Sequence, residues 1–299
     1  MMDNGVFSGE ESESIKILVA KCHYSKCTFA HVVPQKGVDP DRYAVERLAK
    51  DIQWLGYTKV ILKTDNEHAI LKLLNEVLKT LRMSGTDQAM DSHPPIYDPS
   101  SNGATENACK LVGGMIRTLR LDLEDRIRRR LPIDHPVFSW LVEHAFWLLA
   151  SKTKLEDGTT PYQKVRGSNF KREMLGFGES TLYKVPEGRL TKSLEGKLGA
   201  RWRDGIFLGY SRDSYEYLVW DTDEREVRTS RSLQRVPTDR RFVAEAIETV
   251  SVRPKDMLHR SAWGASGHRE RPARLGAVPP ETERIAVKRA STGKGLRVT

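Results

Sequence analysis

The chain has 299 residues, of which 38% are hydrophobic and 30% are charged, and its formal net charge is +9. This length favours two domains with modest hydrophobic cores. No apolar run is long enough to span a membrane, so we expect no membrane partner, and three cysteines without a CxxC pair indicate a reducing compartment rather than a disulfide framework.

The positive charge is concentrated at the end of the chain. Residues 253–299 carry a net charge of +7, which leaves +2 for the rest of the protein. This tail mixes Gly, Pro, Ser and Arg with few large apolar residues, so we expect it to be disordered. The tail is either a solvated terminus or a segment that binds DNA or directs nuclear import.

The first part of the chain predicts three consecutive antiparallel strands. A short strand over 1–7 carries Asp3, and the apolar segments 15–22 and 27–33 form a hairpin. A helix then begins near Asp41 and ends before Gly56.

The next elements alternate between strand and helix. Residues 59–64 predict a buried strand that leads directly to Asp65, and residues 67–82 predict a second amphipathic helix. A weaker strand follows at 86–92. The order to this point is βββαβαβ.

A turn at 98–103 precedes a helix that carries apolar residues at steps of three and four. Glu106 lies in its first turn, and Lys110 lies on the same face one turn later. An acidic residue at a helix start is ordinarily a capping residue that the helix dipole stabilises. Glu106 alone therefore does not define a site.

Aromatic residues dominate the next predicted helix, over 137–149. An aromatic cluster beside basic residues can stack on bases, but helix packing is the commoner explanation and the one we favour. From Lys197 onwards, strands at 205–210, 215–220 and 226–231 predict a small β-barrel. Residues 238–252 predict a last short helix.

Three carboxylates occupy positions from which they can meet. Asp3 and Asp65 lie on or just after strands, and Glu106 starts a helix. Carboxylate oxygens are the ligands that Mg²⁺ prefers. Two such ions activate a nucleophile and stabilise a leaving oxygen in phosphoryl transfer.

Two motifs resemble those of a known family. Thr64-Asp65-Asn66-Glu67 and the run from Pro99 to Asn107, PSSNGATEN, resemble the catalytic core of retroviral and retrotransposon integrases, and most of all the copia type. The run GIFLGYSRDSYEYLVWD at 205–221 resembles the SH3-like C-terminal domain of the same integrases. It departs from the usual pattern at Tyr215, where a glycine-tyrosine step is expected.

The resemblance implies an α/β fold, a ribonuclease-H-like mixed sheet flanked by helices, with Asp3 and Asp65 on adjacent central strands. A small SH3-like β-barrel and a disordered basic tail follow. The expected domains are a catalytic core that lacks its N-terminal part (1–165), a linker (166–196), the barrel (197–237), and a short helix with the basic tail (238–299).

The function implied by the resemblance is DNA integration by a fragment of a retrotransposon-derived polyprotein. The catalytic and metal-binding residues would be Asp3, Asp65 and Glu106, with Mg²⁺ or Mn²⁺ as cofactor, and Asn66 and Asn102 would shape the site through hydrogen bonds. The partners would be element ends and target DNA, contacted by Lys110, Arg117, Arg126, Arg128, Arg129 and Arg130. A homo-oligomer and a nuclear location are expected by resemblance, and otherwise a cytoplasmic location.

Two other functions fit the same sequence. A catalytically decayed protein could keep the integrase fold and bind nucleic acid without turnover. A ribonuclease H would share the fold and the metal chemistry, but the Glu106 helix motif and the appended barrel would then be unexplained. Whether the chain is an enzyme, specifically a polynucleotidyl transferase, depends on whether the three carboxylates meet.

Overall fold

A computed structural model describes residues 15–64, 67–86, 88–92, 103–185, 200–258 and 283–290. Several predicted features lie outside these ranges, namely the strand over 1–7 with Asp3, and the residues Asp65, Asn66 and Asn102. Within the described ranges, no helix has the length and apolar character needed to cross a bilayer.

The described chain forms two five-stranded sheets with helices around them. The first sheet contains β1 (Lys16–Cys22), β2 (Thr28–Val33), β3 (Lys59–Thr64), β4 (Gln88–Ser92) and, from the far end of the chain, β10 (Glu283–Ala290). The second sheet contains β5 (Ser180–Lys184), β6 (Trp202–Tyr210), β7 (Tyr217–Asp221), β8 (Glu226–Ser230) and β9 (Leu233–Arg235). The helices are α1 (Tyr43–Leu55), α2 (His68–Met83), α3 (Gly103–Ile127), α4 (Pro136–Lys152), α5 (Pro161–Arg166) and α6 (Ala244–Glu248).

The predicted hairpin is confirmed. β1 and β2 pair antiparallel with Lys16 opposite Val33, and the Cys22 N–H donates to the Cys27 carbonyl at 2.9 Å to close the turn. Both strands are rich in β-branched and aromatic residues, which pack well on a pleated surface.

β3 and β4 follow the expected strand–helix–strand order. They pair in parallel, with Lys59 opposite Gln88, and α2 provides the crossover that a parallel pair requires. The strand order of the sheet is β2-β1-β10-β3-β4, so antiparallel and parallel steps coexist. The predicted mixed sheet flanked by helices is confirmed.

The central strand of this sheet is the largest departure from the sequence prediction. β10 pairs antiparallel with β1, with Cys22 opposite Ile285, and in parallel with β3, with Thr64 opposite Val287. The predicted disordered tail is therefore wrong for 283–290. The tail as a whole has a polar composition, but it contains a short apolar segment that includes Ile285. Both neighbouring strands hydrogen-bond to the backbone of this segment, and the Ile285 side chain is 1% exposed.

β3 has a neighbour on each side, β10 on one side and β4 on the other. The predicted strand over 1–7 with Asp3 lies outside the described residues, so its place beside the Asp65 strand stays a prediction.

The start of the predicted disordered segment is also ordered. A 3-10 helix spans Pro254–Met257, and Met257 is buried. Trp140 on α4 donates from Nε1 to the Val252 carbonyl at 2.7 Å, and Arg253 donates to the Asp134 carbonyl at 2.8 Å. These contacts with α4 and the loop before it supply the burial that the segment lacks by itself.

The first helix begins at Tyr43, and its N-cap is Arg42, one residue after the predicted N-cap Asp41. The carboxylate of Asp39, rather than Asp41, accepts hydrogen bonds from the Tyr43 and Ala44 N–H groups at 2.9 Å. These bonds satisfy two of the donors that every helix start leaves open. Gly56 ends the helix in the left-handed conformation, with φ of 78°, as its position in the sequence predicts.

α4 is the central helix of the fold. Twelve of its seventeen residues are buried, among them Phe138, Trp140, Phe146 and Trp147. The prediction that this aromatic cluster is helix packing agrees with the structure.

The second sheet has the strand order β8-β7-β6-β5-β9, and all its pairs are antiparallel. The strands predicted at 205–210, 215–220 and 226–231 are confirmed in β6, β7 and β8. β5 lies inside the predicted linker 166–196, which is therefore wrong over Ser180–Lys184. A five-residue strand without strong alternation gives little local signal.

The second sheet packs directly against α4. Trp147 donates from Nε1 to the Tyr210 carbonyl at 3.0 Å, and the His144 ring lies 5.5 Å from the Phe207 ring. β6 has a bulge between Phe207 and Gly209 on the side of this helix, and Gly209 has a φ of 144°. Residues of both sheets share the same hydrophobic clusters, so the helix is buried from two sides.

Candidate functional site

The structure describes one of the three predicted catalytic carboxylates. Glu106 lies in the first turn of α3 and is exposed, as predicted. Ala108, Val112 and Ile116 of this helix pack in the same hydrophobic cluster as Ile17 of β1. α3 therefore lies across one face of the first sheet and presents Glu106 at its start.

β3 leads towards the second predicted carboxylate. Val60 and Leu62 are buried in the cluster that contains α1 and α2, so alternate residues such as Lys63 face the other side of the sheet, where α3 packs. Asp65 itself lies outside the described residues.

The described residues contain no assembled metal-binding cluster. In the part of the chain that the structure describes, no three His, Cys, Asp or Glu side chains lie close enough together to hold an ion. Glu106 supplies an oxygen ligand of the kind that Mg²⁺ prefers. The described residues thus provide one of the three predicted ligands.

The basic residues predicted to bind DNA fall into two groups. Lys110 and Arg117 are exposed on α3, the helix that carries Glu106, and Arg130 is exposed beyond its end. Three others are neutralised by neighbours: Arg126 pairs with Asp122 at 2.9 Å, Arg128 with Asp125 at 2.7 Å, and Arg129 with Glu248 at 2.7 Å and Glu245 at 3.1 Å. The positive charges of Lys110, Arg117 and Arg130 are therefore more available to a partner than those of the three paired arginines.

A buried ionic cluster of five side chains, which the sequence analysis did not identify, joins the two sheets. It consists of His31 on β2, Arg47 and Asp51 on α1, Glu143 on α4, and Arg212 in the turn after β6. We refer to these five residues as the ionic cluster.

Glu143 is the centre of the ionic cluster. One carboxylate oxygen lies 2.6 Å from His31 Nδ1, and the other accepts from Arg47 at 2.6 Å and from Arg212 at 3.2 Å. Asp51 lies 2.5 Å from His31 Nε2 and also pairs with Arg212. Because Arg212 lies in the turn that follows β6, these bonds fix the second sheet to α1 and α4.

Burial and neighbouring charge act in opposite directions on the pKa values of this cluster. Burial lowers the pKa of His31 to about 4, although the Glu143 carboxylate opposes that change. Burial raises the pKa of Glu143, but Arg47 and His31 outweigh it and hold this pKa below its ordinary value. Glu143 is therefore ionised at neutral pH.

One weak signal for this cluster is present in the sequence. Arg47 and Asp51 are four residues apart on one helix, which is the spacing of neighbouring side chains on a helix surface. The contacts within the cluster join residues that are 20, 69, 96 and 112 positions apart in the chain. No local pattern predicts such pairs.

Comparison with known proteins supports one part of the resemblance directly. Residues 184–241 match the family described as the retroviral polymerase SH3-like domain. The predicted SH3-like domain is confirmed, and the matched residues begin at Lys184, the last residue of β5. No curated protein matches the chain significantly.

One solved structure is similar to part of the chain. The catalytic core domain of BIV integrase is 20% identical over 50% of this chain and 85% of that domain, with a TM-score of 0.35. Apart from that likeness, the described chain has a mixed α/β sheet flanked by helices in addition to the matched residues 184–241. This combination supports the resemblance to retroviral and retrotransposon integrases.

Proposed function

We propose that the chain is the core and C-terminal part of a retrotransposon integrase that trims DNA 3′ ends and joins them to target DNA in a metal-dependent reaction. The family match over 184–241 carries this proposal. The position of Glu106, exposed in the first turn of a helix that packs on the first sheet, adds to it.

The proposed site uses carboxylates as ligands and no protein nucleophile. Asp3, Asp65 and Glu106 would hold Mg²⁺ or Mn²⁺, which when bound supplies activation of water or a 3′-hydroxyl and stabilisation of the departing 3′ oxygen. Asn66 and Asn102 would orient the site through hydrogen bonds.

Contact with DNA would start from the exposed face of α3. Lys110 lies four residues after Glu106, and Arg117 lies two further turns along the helix. Their charges would neutralise backbone phosphates and release condensed counterions, so binding should weaken as salt rises. Arg126, Arg128 and Arg129 would contribute less than their number suggests, because each pairs with an acidic side chain.

The test is a strand-joining assay on labelled duplex DNA with Mg²⁺ or Mn²⁺. Glu106→Gln and Asp65→Asn keep the side-chain shape but remove the ligand charge, so each should reduce turnover at least about 100-fold, as loss of groups that stabilise the transition state does. Asp125→Asn, an exposed acid on the same helix, should keep turnover. Turnover that survives both ligand substitutions would overturn the proposed chemistry.

One observation favours the alternative of a decayed, nucleic-acid-binding protein. β10 occupies the position next to β3 that the resemblance gives to the Asp3 strand. Under this alternative, DNA binds with the expected salt dependence and neither the natural chain nor its variants turn over. Cleavage confined to RNA–DNA hybrids would instead support a ribonuclease H. Homo-oligomerisation and nuclear location stay predictions.

A further inference from the structure

A groove of about 190 Å³ lies at the end of the first sheet where β1 begins and β2 ends. Its walls come from these two strands, from the start of α4 with the loop before it, and from the 3-10 helix at Pro254–Met257. Among the described residues that line the groove, none is a predicted catalytic or DNA-binding residue. The groove is therefore distinct from the proposed catalytic site.

The floor of the groove is apolar. Ile15, Val32, Val33, Ile133 and Phe138 all line it. Ile15, Val32 and Ile133 are only half-buried, so part of this apolar surface is open to solvent. Covering such surface with another segment of chain is favourable, because it removes apolar atoms from water.

The rim of the groove is basic. It carries Lys16, Arg253 and Lys255, which we call the basic rim, against one acidic side chain, Asp134. The nearby carboxylate of Asp256 accepts from the Arg253 backbone N–H at 2.8 Å. With Asp256 counted as well, one positive charge remains in excess.

The basic rim has donors to spare. Arg253 donates from one Nη to the Asp134 carbonyl at 2.8 Å, which leaves other guanidinium N–H groups available. Within the described residues, neither Lys16 nor Lys255 forms an ion pair, and Arg253 forms none with a carboxylate. Hydrogen bonds from such cations to a carboxylate are stronger than bonds between neutral groups. The rim is therefore suited to an acidic segment.

An acidic segment is joined directly to this groove. The first described range begins at Ile15, which lines the groove. Residues 8–14, SGEESES, contain three glutamates and no Lys or Arg. Five extended residues span at most about 18 Å, so Glu10, Glu11 and Glu13 are all held near the groove by the chain itself. A short tether of this kind gives an effective concentration on the order of mM.

We propose that residues 8–14 dock in this groove, with their three glutamates paired with the basic rim. The tether favours this segment over a second copy of the chain, because a free partner loses translational and rotational freedom on binding. The docked segment ties the chain ahead of β1 to the 3-10 helix that follows the second sheet. The proposal does not rest on metal-dependent turnover.

The test is photo-crosslinking within the full chain, without DNA or metal. Benzoylphenylalanine replaces Ser12, and mass spectrometry maps the cross-links. They should fall within 132–139 and 253–257, and their yield should decrease as salt rises, because salt screens exposed charges. Benzoylphenylalanine in place of Glu156, an exposed acid in the loop after α4, measures nonspecific capture and should give no cross-link to the groove.

Charge reversal shows whether the basic rim holds the segment. In the Ser12-labelled chain, Lys255→Glu should lower the cross-link yield at least about threefold, and Glu11→Lys added to it should restore the yield. Lys255→Gln removes the charge without adding repulsion and should give an intermediate loss, which keeps the test decisive if Lys255→Glu does not fold. Lys152→Glu, at the exposed far end of α4, should leave the yield unchanged.

Three results would overturn the proposal. These are cross-links spread over the surface, a yield that neither Lys255 variant changes, and cross-links that join two molecules, which would place a second copy in the groove. Each of these results would leave the proposed integrase reaction untouched, because no step of the test measures turnover.

Discussion

Two carboxylates on neighbouring helices show how differently the fold treats the same chemical group. Glu143 on α4 is almost enclosed, and His31, Arg47 and Arg212 surround its two oxygens. Glu106 on α3 is exposed in the first turn of its helix. A carboxylate whose oxygens are held by three cationic or imidazole groups is a structural tie, whereas the one at the start of α3 is accessible to solvent.

The largest expected effect is a difference in protein stability between variants of these two carboxylates. Glu143→Gln should lower the free energy of unfolding by about 3–5 kcal/mol, because it leaves Arg47 and Arg212 short of a buried counter-charge. Glu106→Gln should change it by less than about 0.5 kcal/mol, as exposed substitutions usually do. Urea unfolding followed by circular dichroism measures both. Similar losses in the two variants would mean that the ionic cluster is not a structural tie.

The next prediction compares a residue of the tail with one of α3. Ile285→Ala in β10 should cost about 2–4 kcal/mol, because this side chain is 1% exposed in the middle of the first sheet. Leu111→Ala on α3 should cost much less, since Leu111 is 45% exposed. Thermal unfolding of the two variants provides the measurement. A harmless Ile285→Ala would restore the original prediction of a disordered tail.

The third prediction concerns the stability of the fold at acidic pH. Burial lowers the pKa of both His31 and His144 to about 4, against 6.5 for an ordinary histidine. Between pH 6.5 and 4 the unfolded chain therefore binds protons that the folded chain does not, so stability should fall as the pH falls through this window. Each histidine contributes a slope of up to about 1.4 kcal/mol per pH unit.

The His144→Gln variant measures how much His144 contributes to the pH dependence of stability. The variant should lose the contribution of His144 and keep that of His31, so its stability should depend less steeply on pH between 6.5 and 4. Chemical unfolding at several pH values, compared with the natural chain, provides the measurement. Identical slopes would mean that His144 is not the buried, neutral group described here.

The smallest expected effect contrasts two exposed cations near α3. Lys110→Gln should reduce the steepness of the plot of log binding constant against log salt by about 0.9, the value for one phosphate contact on duplex DNA. Arg128→Gln should change it less, because Asp125 pairs with Arg128 at 2.7 Å. A DNA titration at several salt concentrations measures both. A larger effect at Arg128 would reverse the order proposed for the DNA-binding residues.

Much of the first sheet could be predicted from local patterns. The hairpin of β1 and β2, the strand β3, and helices α1 and α2 all show the expected apolar period within a few residues of their observed bounds. The exposed position of Glu106 in a first turn followed from the break at 98–103 and the apolar period after it. Each of these features depends on residues close together in the chain.

The tertiary structure decided what local patterns leave open. The backbone of β10 pairs with β1 and β3, which lie more than 200 residues earlier in the chain. The composition of β10 is similar to that of the polar tail sequence around it, so composition does not identify the strand. The ionic cluster likewise draws on β2, α1, α4 and a turn of the second sheet. The sequence by itself determined the secondary structure and the motifs, because these follow from the period of nearby side chains. Only the fold determined which strand fills the centre of the first sheet and which charges meet, because those contacts depend on the packing of distant segments.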